Sequence, residues 1–157
     1  MAEERVTLTR TIAAPASRIF AIVSHPDGHV QLDGSGMLER APDAKPLTEV
    51  GQTFDMDMDR EPLGDIPLGK YKVRNTVTKL EADRLIEWNI GGVDMPPVGH
   101  VYGFTLTPKG DNQTEVTHYC DWSGITEQMR AAGREWPIVP VSMLEKSMDN
   151  LTKLATE

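Results

Sequence analysis

The chain has 157 residues, of which 39% are hydrophobic and 25% charged, and its formal net charge is −8. This length predicts one domain over residues 1–157, and no apolar run approaches the roughly 20 residues that span a bilayer, so stable membrane insertion is not expected. The negative charge repels phosphate backbones and anionic membrane surfaces, which excludes nucleic acid as an expected partner.

Two features of the sequence bear on the compartment. The N-terminal residues are charged and lead directly into a strand pattern, without the apolar core of a signal peptide. The single cysteine, Cys120, has no partner for an internal disulfide, which agrees with a reducing environment. We therefore expect a cytoplasmic protein.

The chain opens with a strand and a short helix. Val6, Leu8 and Ile12 alternate with threonines, and this period of two in a β-branched run indicates a half-buried strand. Pro15 can occupy the first turn of a helix, and the apolar residues after it recur at helical spacing until Pro26. Residues 25–36 are rich in Gly, Asp and His and are interpreted as a loop.

Strand patterns dominate the middle of the sequence, and a helical pattern closes it. Short connections between successive strands imply an antiparallel meander. The strands are predicted at residues 37–40, 52–59, 70–80, 85–90, 100–107 and 114–122. From Trp136 onward, apolar residues at i, i+3, i+4 and i+7 predict a helix of about five turns. The fold class is therefore α+β: a curved sheet of six or seven strands around a long C-terminal helix, with one or two short helices after the first strand.

The register of the last two strands decides which side chains face the helix. If they pair through the turn at residues 110–112, residue numbers across the ladder sum to about 222, so even positions share one face. That face carries the apolar and aromatic residues, whereas the other face carries Thr105, Thr107 and Thr117. Since the helix fills the concave sheet incompletely, we expect a pocket. Its predicted ligand-binding residues are Phe54, Met56, Tyr71, Val73, Asn75, Trp88, Ile90, His100, Tyr102, Phe104, His118, Trp122, Trp136, Met143 and Ser147.

Three apolar connections are expected at one end of the meander, at residues 60–69, 91–99 and 123–136. They form either an adjustable mouth of the pocket or a cap that shields the core from solvent. Their apolar side chains are Leu63, Ile66, Leu68, Val93, Met95, Pro96, Pro97, Val98, Ile125 and Met129.

No sequence motif for a metal or cofactor site is complete in this chain. Asp55, Asp57 and Asp59 imitate the start of a calcium loop, but the required Gly and Glu are missing from it, and a strand would place all three carboxylates on its outer face. His25 and His29 are separated by a proline and a glycine, which argue against the regular helix that would aim both at one zinc ion. No phosphate loop, dinucleotide fingerprint or nucleophile elbow occurs, so neither a metal nor a cofactor is predicted.

The main candidates for proton transfer are His100, His118 and Tyr102, which the register places on the inner face, and Asn75 and Tyr71 are weaker candidates of the same kind. A histidine in a pocket can act as acid or base near neutral pH. A histidine among aromatic rings is also a common hydrogen-bonded wall residue, so this catalytic assignment rests on position alone.

The whole chain resembles the START-like (SRPBCC, helix-grip) superfamily, in particular its polyketide cyclase/dehydrase group. The resemblance is carried by the opening VTLTRTIAAPASRIFAIVSHP, by the segment TEVTHYCDW and by the position of the terminal helix. It implies the helix-grip fold and an apolar cavity. It does not fix an activity, because the superfamily includes lipid carriers, receptors and cyclases and shares no compact catalytic motif.

Three functions follow as hypotheses. The first is binding, transport or sequestration of a hydrophobic small molecule such as a lipid, polyketide or aromatic metabolite. The second is a polyketide cyclase or dehydratase in which the pocket folds a reactive chain. The third is an interaction module whose apolar mouth docks a protein partner of unknown identity, with a merely structural cavity.

Overall fold

The structure is a computed structural model, and it describes residues 3–93 and 95–157. The sheet has seven strands in the order β1-β7-β6-β5-β4-β3-β2, and every neighbouring pair is antiparallel. The elements in chain order are β1 (Arg5–Ile12), α1 (Ala16–Val23), α2 (Pro26–Leu32), β2 (Leu38–Arg40), β3 (Thr53–Asp59), β4 (Lys70–Glu81), β5 (Leu85–Gly91), β6 (Pro97–Gly110), β7 (Gln113–Asp121), α3 (Glu127–Ala131) and α4 (Val141–Thr156).

The predicted α+β architecture, a curved antiparallel sheet with a long C-terminal helix, is confirmed. The predicted register of β6 and β7 is also correct, since Tyr102 pairs with Cys120 and Phe104 pairs with His118. Both pairs sum to 222, so the even-numbered residues of these strands face inward as expected.

Residues 25–36 were interpreted as a loop, and this interpretation is wrong because α2 occupies most of the segment. Pro26 stands in the first turn of α2, where a proline costs no hydrogen bond, and His25 Nδ1 accepts from the backbone N–H of Asp27 at 3.1 Å. Gly28 is needed for close packing, because a Cβ there would lie 1.9 Å from the carbonyl oxygen of Ile22 in α1. Pro26 and Gly28, which the sequence analysis took as helix breakers, therefore begin α2 and allow it to pack against α1.

The C-terminal helix begins later than the sequence predicts, at Val141 rather than near Trp136. Pro140 is the N-cap, and the peptide bond between Trp136 and Pro137 is cis. The five residues before α4 are thus an irregular segment rather than the first turn of the helix. The apolar residues Ile138 and Val139 of this segment still face inward, although they do not belong to the helix.

The core lies between the inner face of the sheet and α4. Leu144, Met148 and Leu151 of α4 are buried and form one cluster with inward residues of β1, β4, β5, β6 and β7. Helix α4 also contacts α1 and α2, which cover the same side of the sheet. Among the described residues, no helix is both long and apolar enough to cross a membrane.

Candidate ligand-binding cavity

A cavity of about 510 Å³ lies between the inner face of the sheet and helices α2 and α4. Its size falls within the range of about 300–1,000 Å³ that is usual for small-molecule pockets. Most of the predicted site residues line it, namely Met56, Tyr71, Val73, Asn75, Trp88, Ile90, His100, Tyr102, Phe104, His118, Trp136 and Ser147.

Phe54, Trp122 and Met143 were predicted in the same set but are not among the lining residues. Phe54 faces inward and is buried, but its ring packs against His29, with 5.4 Å between the ring centroids. Trp122 stacks behind Trp136 at 6.3 Å. Met143 is half-buried near the start of α4. The strand alternation gave the correct face for Phe54 and Trp122, but neighbouring rings separate both side chains from the cavity.

The sequence analysis missed several lining residues, of which His29, Asp33, Ser35, Arg60, Lys72 and Arg134 are polar. His29 reaches the cavity because α2 exists, and the sign for that helix was Pro26 followed by Asp27 in the first turn. Arg60 and Arg134 belong to segments without a regular pattern, so their positions depend on tertiary contacts that no spacing rule describes.

His29 is a buried wall residue. Its Nε2 donates to the carbonyl oxygen of Val23 at 2.6 Å, and its ring lies 4.5 Å from the ring of Trp88. Burial lowers the pKa of His29 to about 4, although the hydrogen bond to Val23 opposes the shift. The imidazole is therefore neutral at pH 7 and held in one orientation.

His118 has the same character on the opposite wall. Its Nδ1 donates to the carbonyl oxygen of Gly103 at 2.9 Å, and its ring stacks on Phe104. Burial lowers its pKa to about 4, again against the hydrogen bond that it makes with the backbone.

His100 differs from the other two histidines because its buried Nδ1 has no hydrogen-bond partner among the described residues. Edge-on contacts with Tyr102 and Trp136 hold its ring, at centroid distances of 5.7 and 4.9 Å. Burial lowers its pKa to about 4. Burial also raises the pKa of Tyr102 well above its ordinary value of 10, so both groups are neutral at pH 7.

Asn75 is a second polar group in the wall that lacks a partner. It is 5% exposed, lies on the inner face of β4, and its Oδ1 makes no hydrogen bond with any described residue. By contrast, Ser147 on α4 is satisfied, because its hydroxyl donates to Met143 at 3.2 Å and accepts from the N–H of Gly34 at 2.8 Å.

Residues from all three predicted mouth loops line one end of the cavity, including Leu68, Met95 and Met129. Gly99 allows two of these loops to touch, because a Cβ there would lie 2.3 Å from the carbonyl oxygen of Gly124. Leu68 and Met95 are 50% and 72% exposed, so they border the cavity without sealing it as a buried cap would.

The loop at residues 60–69 is closed by an ion pair. Arg60 donates from Nε and Nη2 to the two carboxylate oxygens of Asp65, at 2.7 and 2.6 Å. The hydrogen bonds from Arg60 hold the pKa of Asp65 below its ordinary value, and the same contacts raise the pKa of Arg60. The Arg60 side chain is only 8% exposed, so this pair orders the loop at the cavity.

Residues 3–156 match the family model described as polyketide cyclase/dehydrase and lipid transport. The chain belongs to this family. Among its relatives, the protein Rv0088 of Mycobacterium tuberculosis is 31% identical over 118 residues, which are 75% of this chain and 47% of Rv0088. The chain thus spans about half the length of the curated relatives it matches.

Several solved structures have a similar fold. The protein CV1439 of Chromobacterium violaceum has a TM-score of 0.70 and 16% identity, with 98% of this chain and 99% of that chain covered. Norcoclaurine synthase of Thalictrum flavum, solved in complex with dopamine and hydroxybenzaldehyde, has a TM-score of 0.62 and 17% identity, with 97% of this chain and 86% of that chain covered. Such low identities establish the fold alone.

Within this family fold, the cavity wall offers ring contacts and neutral hydrogen-bonding groups, and its lining also includes the charged residues Asp33, Arg60, Lys72 and Arg134. Four rings of the wall pack on one another, since Trp88 lies 6.2 Å from Tyr102 and 6.1 Å from Phe104, and Phe104 lies 4.2 Å from His118. Within the described ranges, no group of three His, Cys, Asp or Glu side chains is close enough to hold a metal ion. The arrangement is suited to holding an apolar, planar molecule.

Proposed function

We propose that this protein binds a hydrophobic small molecule in the cavity of about 510 Å³ and holds it rather than transforms it. The observation that carries the proposal is the composition of the wall: it is mostly aromatic and aliphatic, with Asn75, His100 and His118 buried among these side chains, and charged residues contribute a smaller part of the lining. Small-molecule sites have this composition, because apolar area supplies affinity and a few polar groups supply specificity.

The histidines support binding over catalysis. An effective general acid or base has a pKa near the working pH, whereas His29, His100 and His118 each have a pKa of about 4. At pH 7 these imidazoles carry no proton to donate as acids, and a group of such low pKa is a weak base. They serve the cavity as flat, neutral surfaces with one hydrogen-bonding edge.

A polyketide cyclase or dehydratase role is the second candidate function. It is favoured by the description of the family and by the presence of three imidazoles and Tyr102 among the lining residues. It requires turnover: cyclised product from a poly-β-keto substrate should form with the wild-type protein and be lost in His118→Phe. Saturable binding without turnover would leave the binding role as the function.

The binding role is tested by titrating the protein with 8-anilinonaphthalene-1-sulfonate and following its fluorescence. Ile90→Trp places a large ring where Ile90 lines the cavity, so it should weaken probe binding at least about tenfold. Leu85→Trp makes the same change on the same strand at a half-buried position outside the lining, and it should bind as the wild type does. Equal binding by all three proteins would place the probe elsewhere and contradict the proposal.

A further inference from the structure

The wall of the cavity contains two polar side chains that each have one buried atom without a hydrogen-bond partner among the described residues. Asn75 and His100 are 5% and 6% exposed, and neither Asn75 Oδ1 nor His100 Nδ1 has a partner among the described residues. Buried polar groups are nearly always paired in proteins, because an unpaired one loses its hydration without compensation. Both residues line the cavity, so a bound molecule is the partner within their reach.

The two side chains lie at nearly the same level of the sheet with β5 between them, in a row that runs from Asn75 across Ile90 to His100. Thr76 of β4 pairs with Asn89 of β5, and Asn89 pairs with Val101 of β6. Asn75 pairs with Ile90 of β5, and His100 directly precedes Val101, beside the register shift between β5 and β6 at residues 89–91. They are two strand spacings apart, which is roughly 10 Å between their Cα atoms.

The surface between them is apolar. Ile90 of β5 pairs with Asn75 and stands between the two strands, and Trp88 follows two residues away on the same face. Tyr102 and Trp136 flank His100 with edge-on ring contacts. A planar ring system can therefore lie along this row with one end at Asn75 and the other at His100.

A hydroxyl group satisfies both positions. The carboxamide of Asn75 and the neutral imidazole of His100 each present a donor and an acceptor, and a hydroxyl can donate or accept. We propose that the cavity selects a fused-ring aromatic molecule with a hydroxyl at each end, one bonded to Asn75 and the other to His100. This inference rests on the proposed binding function and narrows its ligand class.

A saturated acyl chain fits this row poorly. Its methylene groups would cover Asn75 and His100 without offering a hydrogen bond, and leaving a buried group unpaired weakens binding about ten- to hundredfold. The unpaired atoms of Asn75 and His100 therefore favour an aromatic diol over a lipid tail.

The test uses matched probes. The dissociation constants of 2,6-dihydroxynaphthalene, 2,6-difluoronaphthalene and dodecanoate are measured by isothermal titration calorimetry at pH 7. The wild-type protein should bind the diol at least about tenfold more tightly than the difluoro compound. A wall that uses only apolar contact gives the opposite order, because the hydroxyl groups cost more to remove from water.

Variants assign the preference to the two residues. Asn75→Leu and His100→Phe should each reduce the preference for the diol about tenfold, mainly by weakening diol binding. Asn89→Leu is the matched control, because Asn89 also has an unpartnered Oδ1 but lies on the outer face and is not among the lining residues. It should keep the wild-type preference.

The outcomes separate this inference from the proposed function. Equal or reversed affinity for the two naphthalenes in the wild-type protein would overturn the inference, and so would tightest binding of dodecanoate, while either result would keep the binding function. An unchanged preference in both Asn75→Leu and His100→Phe would overturn the assignment of these residues. No saturable binding of these three probes or of 8-anilinonaphthalene-1-sulfonate by the folded protein would overturn both proposals.

Discussion

The imidazole of His118 stacks on the ring of Phe104, with 4.2 Å between the ring centroids and an interplanar angle of 19°. Its Nδ1 donates to the carbonyl oxygen of Gly103, so the ring cannot rotate without losing this hydrogen bond, and burial disfavours its protonation. This relationship makes His118 part of the wall of the cavity, and it ties the stability of the fold to pH.

The fold should lose stability between pH 6.5 and about 4. His29, His100 and His118 have pKa values lowered from 6.5 to about 4, so in this range the unfolded chain binds protons that the folded chain does not. Their stabilisation is fully present above pH 6.5 and is lost as the pH falls, by up to roughly 3 kcal/mol for each imidazole. Urea unfolding at a series of pH values measures the slope.

His118→Phe should flatten that slope above pH 4.5, where the aspartates with lowered pKa values do not yet contribute. The control is His25→Asn, which removes a histidine outside the cavity and keeps an N-cap acceptor for α2. A slope in His118→Phe as steep as that of the wild type would show that His118 is not buried and neutral.

Gly103 should be intolerant of alanine because of a contact on the outer face. A Cβ at Gly103 would lie 2.4 Å from Cζ of Tyr119, whose hydroxyl donates to Oε1 of the buried Glu87 at 2.7 Å. Gly103→Ala should therefore cost about 2–3 kcal/mol of unfolding free energy. In a double-mutant cycle, Tyr119→Leu should recover part of this cost, and additive effects would contradict the assigned contact.

The ion pair at the mouth should contribute more than a similar pair on the outer face. Asp65→Asn should cost about 1–2 kcal/mol and speed amide exchange in residues 61–69, because it leaves the 8% exposed Arg60 side chain with a weaker partner. Asp55→Asn breaks a bidentate pair with Arg74, which is 43% exposed, and should cost about 0.5 kcal/mol or less. Equal costs, with unchanged exchange in residues 61–69, would contradict the ordering role of Arg60.

Asn75→Leu should stabilise the ligand-free protein. The substitution replaces a buried amide without a hydrogen bond to its Oδ1 by an apolar group of similar size, so we expect a gain of about 1 kcal/mol in unfolding free energy. Thermal and urea denaturation measure it. A residue kept for ligand recognition shows this pattern of higher stability and weaker binding on replacement. A loss of stability with unchanged binding would assign Asn75 a structural role instead.

The alternation of side chains along each strand predicted the sheet, because this pattern follows directly from strand geometry. The alternation in β6 and β7, with the turn between them, determined the pairing of Phe104 with His118 and hence which face is inward. Most residues of the cavity wall could be predicted from the assignment of that inner face. Tyr119 is an odd-numbered residue of β7 and lies on the outer face, but its burial depends on Gly103 and Glu87, which lie far from it in sequence.

The missed features depend on packing between distant segments. The sequence analysis did not predict helix α2, because a glycine such as Gly28 weakens a helix in isolation. In the folded protein Gly28 lets α2 contact α1. The position of Arg60 depends on Asp65 and on closure of the loop, and that of Trp136 depends on its contacts with His100 and Trp122. No periodic pattern in the sequence predicts such contacts.

The most direct test of the account is an NMR titration with 2,6-dihydroxynaphthalene that follows the side-chain amides of Asn75 and Asn89 and the indole signals of Trp88 and Trp136. The account predicts saturable shifts at Asn75 and at both indoles, with Asn89 unchanged on the outer face. The absence of saturable shifts in a well-folded protein, or shifts larger at Asn89 than at Asn75, would contradict binding in the cavity.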